Sequence, residues 1–237
     1  MRDLDSAERL IAAATNATSR PVTLKMRLGW DCASINAPEL AVRAERAGVR
    51  AITVHGRTRQ QFYSGHADWK AVKAVKAAVT VPVIVNGDIV DGHTARLALA
   101  ESGADAVMIG RACCGRPWIA AAIDRVLLSE GELLEPGPLE RLPIALEHFE
   151  DSLRFYGVEL GLRVFRKHLG RYVESSAWLS DVARRAARYR LCKVETPQGV
   201  MDGLKTFWAG VGSQHSEEKL AVRTERCGFA NGTVSEG

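Results

Sequence analysis

Four short runs rich in aliphatic and β-branched residues recur along the first half of this 237-residue chain: VTLKMRL (22–28), AITVHGR (51–57), VPVIVNGD (81–88) and ADAVMIGR (104–111). Their spacing is that of a strand–helix–strand unit, and near-continuous apolar runs suit strands buried on both faces of a parallel sheet. Between them, PELAVRAERAG, DWKAVKAVKAA and HTARLALAESG place apolar residues at helical spacing, two of them closing on a glycine, Gly48 and Gly103, suited to ending a helix. An α/β class follows. Eight such units would close a barrel, whereas four leave two open sheet edges, so self-association through an open edge is expected.

After Pro117 the pattern changes. β-Branched runs disappear, EPGPLERLP (135–143) reads as a linker from its prolines and glycine, and helical patterns fill 144–211. The expected organisation is therefore an α/β region over 1–134, a linker over 135–143, an all-helical domain over 144–211 and a mobile polar tail over 212–237. With 46% hydrophobic and 25% charged residues the composition is that of a globular protein, and the formal charge of +4 decides little until its location is known. Cys32, Cys113, Cys114, Cys192 and Cys227 show no C-x-x-C spacing, so neither a metal site nor a disulfide framework is indicated. The amino-terminal MRDLDSAERL is acidic where a signal peptide would be basic, which points to a cytoplasmic protein.

Each of the four strand runs ends in polar residues: Lys25 and Arg27, His55 and Arg57, Asn86, Gly87 and Asp88, and finally Gly110 and Arg111. In parallel α/β proteins the carboxyl ends of the strands converge on one face, where ligand sites form. Taken singly, each has a bland reading: alternate residues of an edge strand, a satisfied core histidine, an Asn-Gly turn, a surface arginine. Their shared topological position favours a common site. Glycines let backbone amides approach a phosphate, an adjacent arginine grips it, and a lysine stabilises negative charge on a reduced ring, so an anionic cofactor fits the set.

The runs PVTLKMRLGWD, AITVHGRTRQQFYSGHADW, VPVIVNGDI and GADAVMIGRACCGRPW resemble the carboxyl half of a tRNA-dihydrouridine synthase of the bacterial NifR3-like type, and a weaker likeness continues through FRKHLGRYVESS. The resemblance implies the carboxyl-terminal half of a TIM (β/α)8 barrel followed by an all-helical domain. It implies reduction of uridine in tRNA to 5,6-dihydrouridine with FMN as cofactor and NADPH as reductant. It assigns Lys25, His55, Asn86, Gly87, Asp88, Gly110 and Arg111 to FMN, with Arg27 and Arg57 near the substrate. The family's general acid is a cysteine in an Asn-x-Gly-Cys-Pro motif of an earlier barrel strand, and none of the five cysteines here has that context, so no catalytic residue is assigned to this chain.

Residues 163–190 carry eight arginines and lysines against Glu174 and Asp181, a local charge of +6, with Tyr172, Trp178 and Tyr189 interleaved. A solvated basic face with core aromatics has the same signature. The resemblance favours tRNA binding, with Arg166, Lys167, Arg184 and Arg185 as substrate contacts. Two other readings remain at this level: an inactive remnant or tRNA-binding fragment of such an enzyme, and a different flavin-dependent barrel oxidoreductase.

Overall fold

The structure, a computed structural model, describes residues 1–128 and 135–208. The chain divides into two compact units, Met1–Cys113 with Pro117–Leu134, and Cys114–Arg116 with the chain from Glu135 onward. The tail expected over 212–237, and Cys227 within it, lie outside the described residues.

In the first unit, β1 (Thr23–Arg27), β2 (Ala51–His55), β3 (Val83–Asn86) and β4 (Ala106–Met108) form one sheet in sequence order, all neighbours parallel. The accompanying helices are α1 (Leu4–Asn16), α2 (Ala37–Arg46), α3 (Trp69–Ala78), α4 (Gly92–Ser102) and α5 (Ile119–Leu127). Their starts follow from side-chain caps. Asp3 accepts from the Ser6 amide, Asp68 from Ala71, and Asp91 from Thr94, whose hydroxyl in turn accepts from the Asp91 amide. The expected stop of α4 falls on Gly103, left-handed at φ 65°, which supplies the conformation an L side chain disfavours.

The register aligns Arg27, His55, Asn86 and Met108 in one row, and Lys25, Thr53, Ile84 and Ala106 in the row two residues earlier. Strand alternation puts both rows on one face. Leu24, Met26, Ile52, Val54, Val83, Val85 and Val107 take the other face, where Ile52, Val54, Val83 and Val85 are wholly buried in a core shared with α2, α3 and α4. Each such aliphatic side chain contributes about 1.5–3 kcal/mol on burial. Burial on both faces, expected for all four strands, fails at the edges: Lys25 on β1 and Ala106 on β4 are exposed. The sheet thus has one aliphatic face under helices and one polar face.

The second unit is helical: α6 (Pro138–Tyr156), α7 (Val158–Glu174), α8 (Asp181–Leu191) and a helical run over residues 197–208. The segment expected as a linker, 135–143, is corrected here, because its last six residues are the first turns of α6. Pro138 occupies the first helical position, where no amide donor is needed, and Glu140 accepts from the Gly137 amide at 2.7 Å. Pro143, inside the helix, removes one backbone bond without ending it. The unit closes around Phe149, Phe165, Leu169, Tyr172, Val173 and Trp208, with the rings of Phe149 and Phe165 4.8 Å apart. Among the described residues no helix is long and apolar enough to cross a membrane.

Candidate functional site

The polar face of the sheet gathers what its strands deliver. Lys25 Nζ donates to Asn86 Oδ1 at 3.2 Å, and Asn86 Nδ2 donates to the Met108 carbonyl at 2.8 Å, so one amide links β1, β3 and β4 and its orientation is fixed. Burial and the neighbouring Arg27 charge lower the Lys25 pKa below the ordinary ammonium range. Arg27, at the end of β1, donates from Nη1 to the carbonyls of Thr58 at 2.6 Å and Phe62 at 2.9 Å, both in the loop after β2.

Arg57 lies beneath that loop and is only 2% exposed. Its guanidinium donates to the Ser64 carbonyl at 3.2 Å, to Gly65 at 2.7 Å and to Asp88 Oδ2 at 2.6 Å, and its Nη1 stands 3.3 Å from His55 Nε2. Asp88 also accepts from the Ala67 amide at 2.8 Å, and its other oxygen is 3.7 Å from Arg111. Burial raises the Asp88 pKa, but the Ala67 amide and the Arg57 and Arg111 charges outweigh it and hold the carboxyl below its usual range. The turn that presents this carboxylate is strained in the left-handed region, with Gly87 at φ 115° and Asp88 at φ 54°. A Cβ on Gly87 would stand 2.8 Å from both Ala67 Cβ and His55 Cδ2, so neither backbone nor space admits another residue. Trp69 Nε1 secures the same turn by donating to the Gly87 carbonyl at 2.8 Å.

Of the residues expected at this site, Lys25, His55 and Asn86 meet on the polar face, and Gly87 and Asp88 form the turn that follows it. Arg27 and Arg57, expected near a substrate, donate to backbone carbonyls of the loop after β2. Asp88 faces Arg57 and the same loop. Gly110 has open space where a side chain would be, and Arg111 is exposed beside it. Sequence reasoning passed over Tyr63. The residue is 58% exposed, with Arg111 4.4 Å and Arg27 5.7 Å from its ring centroid and the His55 ring 6.2 Å away. The available signal was a pair of aromatics, Phe62 and Tyr63, in the middle of a polar loop where no helical or strand period calls for them.

The helical unit sorts its cations into two sets. Arg171 and Arg188 both pair with Glu174, and Arg184 pairs with Asp181 while donating to the Glu174 carbonyl at 3.2 Å. Arg163, Arg166, Lys167, Arg185 and Arg190 are exposed and form no ion pair among the described residues. Of the four expected RNA contacts, Arg166, Lys167 and Arg185 are therefore open to a ligand, whereas Arg184 is held. Tyr172, one of the interleaved aromatics, is core; Tyr189 is exposed and carries Lys193 4.0 Å over its ring.

The family described as Dihydrouridine synthase (Dus) matches residues 1–202. A probable tRNA-dihydrouridine synthase of Rhodobacter capsulatus is 54% identical over 177 residues, 75% of this chain and 55% of that protein. One from Rickettsia bellii is 43% identical, covering 89% of this chain and 63% of that protein. The tRNA-dihydrouridine synthase B of Yersinia pestis is 45% identical, covering 73% of this chain and 54% of that protein. The chain spans a little over half to under two thirds of the length of these relatives. A crystal structure of mandelate oxidase with (S)-2-phenylpropionate is similar at a TM-score of 0.29 and 16% identity, covering 86% of this chain and 66% of that one, a likeness too slight to bear on fold or chemistry.

Proposed function

The chain belongs to the dihydrouridine synthase family, and on that premise we propose that it takes part in reducing uridine in tRNA to 5,6-dihydrouridine, with FMN as cofactor and NADPH as reductant. It contributes the carboxyl-terminal half of a TIM (β/α)8 barrel and a helical unit that holds tRNA, in a cytoplasmic setting. The observation that carries this reading is the asymmetry of the sheet: its helix-facing side is aliphatic, while Lys25, Arg27, Thr53, His55 and Asn86 collect on the other. A polar face of that kind suits a planar, anionic ligand and has no use in a sheet whose two sides are both core.

The residues fit FMN. Lys25 and Asn86 lie on the face against which a ring would lie, Gly87 brings backbone close to it, and exposed Arg111 beside the open space at Gly110 suits a phosphate. Bound FMN would supply the hydride that C6 of the uracil receives. The chain's own part is electrostatic and positional: Lys25 stabilises negative charge at the ring, Asn86 holds the ammonium in place, and Arg27 and Arg57 fix the loop that carries Tyr63 over the face. The proton for C5 is assigned to none of Cys32, Cys113, Cys114 and Cys192. On the helical unit, Arg166, Lys167 and Arg185 bind tRNA phosphates, and Arg184 orders the surface through Asp181 and Glu174.

The experiment uses this chain and a longer polypeptide that adds an upstream half containing the Asn-x-Gly-Cys-Pro motif. The longer protein is expected to purify yellow and to form dihydrouridine in unmodified tRNA with NADPH, and Lys25→Ala to lower turnover by about 10²-fold, as loss of a preorganised charge does. The 237-residue chain alone is expected to lose FMN on gel filtration. Colourless longer protein, or full turnover after Lys25→Ala, would overturn the assignment.

A further inference from the structure

His55 ends β2 on the polar face, in register with Arg27 and Asn86. The charged groups that act on its ring come from three strands and their loops: Arg27 and Lys25 of β1, Arg57 after β2, and Asp88 after β3. Burial first, then the three cations, push its pKa down to about 4, with Asp88 opposing, so the ring is neutral at neutral pH. A neutral imidazole carries one N–H and one acceptor nitrogen, and the neighbours decide which is which.

Arg57 Nη1 lies 3.3 Å from His55 Nε2, and a guanidinium has donors only, so Nε2 accepts and the ring proton belongs on Nδ1. The opposite tautomer would set two N–H groups against each other. The guanidinium has little freedom to avoid this, because it is buried and bonded to Ser64, Gly65 and Asp88. The Nε2–Cδ2 edge is turned to Gly87, where a Cβ would meet both atoms. Nδ1 has no hydrogen-bond partner among the described residues and is not sealed from solvent, so it is free to donate to a ligand.

We propose that Arg57 is a positioning residue which, by donating to Nε2, holds His55 as the Nδ1–H tautomer and gives the polar face a neutral hydrogen-bond donor for a ring carbonyl oxygen of a cyclic imide, the group shared by uracil and the pyrimidine ring of a flavin. The ligand class rests on the function proposed above; the tautomer does not. A neutral donor suits a face already carrying Lys25 and Arg27, since it binds a carbonyl without adding another positive charge. His55 thereby orients a ring rather than serving as an acid near neutral pH. An arginine is required, because a lysine has no planar fork to reach two carbonyls, a carboxylate and an imidazole together.

The test is nitrogen NMR of the 237-residue chain labelled at histidine, with His55 identified by the signal lost in His55→Gln. The parent is expected at pH 7 to show a neutral His55 with its proton on Nδ1. Arg57→Met is expected to move the proton toward Nε2 and to raise the pKa by about one unit as a nearby positive charge is lost. A charged ring or an Nε2–H tautomer in the parent overturns the proposal whatever becomes of the family function, and this reading stands even if the variant fails to fold. An unchanged tautomer in folded Arg57→Met also overturns it. Riboflavin 5′-phosphate and uridine 5′-monophosphate are then added separately at millimolar concentration. A shift of the Nδ1 signal with the first assigns the carbonyl to a flavin and with the second to a base; no response to either overturns the ligand half while the tautomer result stands by itself.

Discussion

Arg57 in the sheet unit and Arg141 in the helical unit are each 2% exposed, and each satisfies its guanidinium with two backbone carbonyls and a carboxylate. Arg141 donates to the carbonyls of Pro136 at 2.7 Å and Ser175 at 3.1 Å, pairs with Glu135 at 2.6 Å, and stands 4.4 Å over the Trp178 ring. Its partners are helix ends and an aromatic core, so it closes the unit on itself. Arg57 uses the same chemistry where strands end: its carbonyls belong to the loop over the polar face, and its remaining side meets a histidine that opens onto that face. Burial of an arginine therefore does not mark a site. What separates the two is that Arg57 also meets an imidazole nitrogen, whose proton placement a donor can set, whereas Arg141 stacks on an indole ring.

Arg57→Met carries the largest expected effect. Removing one partner of a buried pair and leaving loop carbonyls unmet costs about 3–5 kcal/mol, read by urea unfolding. Arg141→Met is expected to cost a similar amount while leaving the His55 titration untouched; if both variants move His55 alike, the distinction between clasp and site collapses. Next is Gly87→Ala, where a forced left-handed Cβ against Ala67 costs about 2 kcal/mol in the same measurement. A loss below a few tenths of a kcal/mol would mean that the turn relaxes and does not define the face.

Acidification probes both units together. His55, His148 and His168 all have pKa values lowered chiefly by burial, and His148 and His168 face each other with ring centroids 4.7 Å apart. Unfolded histidine titrates near 6.5. As pH falls below that value the unfolded chain takes up protons that the folded rings refuse, so stability decreases, for His55 down to about pH 4. The expected observation is a lower Tm at pH 5 than at pH 7, with His55→Gln flattening the dependence in the sheet unit only and His148→Gln in the helical unit only. A Tm that rises on acidification would contradict the buried, neutral state of these rings.

The smallest effect is expected from single surface cations. Arg185→Ala should lower the salt dependence of tRNA binding by about one unit of slope. Arg184→Ala should lower it less, since that side chain is already paired with Asp181 and bonded to the Glu174 carbonyl. Equal slopes for the two variants would erase the division between held and open cations.

The parallel sheet, the helices between its strands and the shared position of the polar strand ends were legible, because each rests on local periodicity. The start of α6 was not, because Pro-Gly-Pro reads equally as a linker and as a first helical turn; burial of Arg141 beside it decides for the helix. The contacts of Arg57 and Tyr63 were not legible for a different reason. Nothing near either residue in sequence tells that Asp88, 31 positions away, will turn back to meet the guanidinium, or that Tyr63 will lie between two arginines.

By itself the sequence determined which side chains share a face, since alternation along a strand is a property of the backbone, and it determined that cations and an amide end those strands. Tertiary structure alone decided what those groups do. The register of β2 against β3 and the left-handed turn at Gly87 and Asp88 bring guanidinium, imidazole and carboxylate within bonding distance. Proton placement on His55 follows from that meeting, because a donor-only neighbour leaves a neutral ring one nitrogen on which to keep its hydrogen.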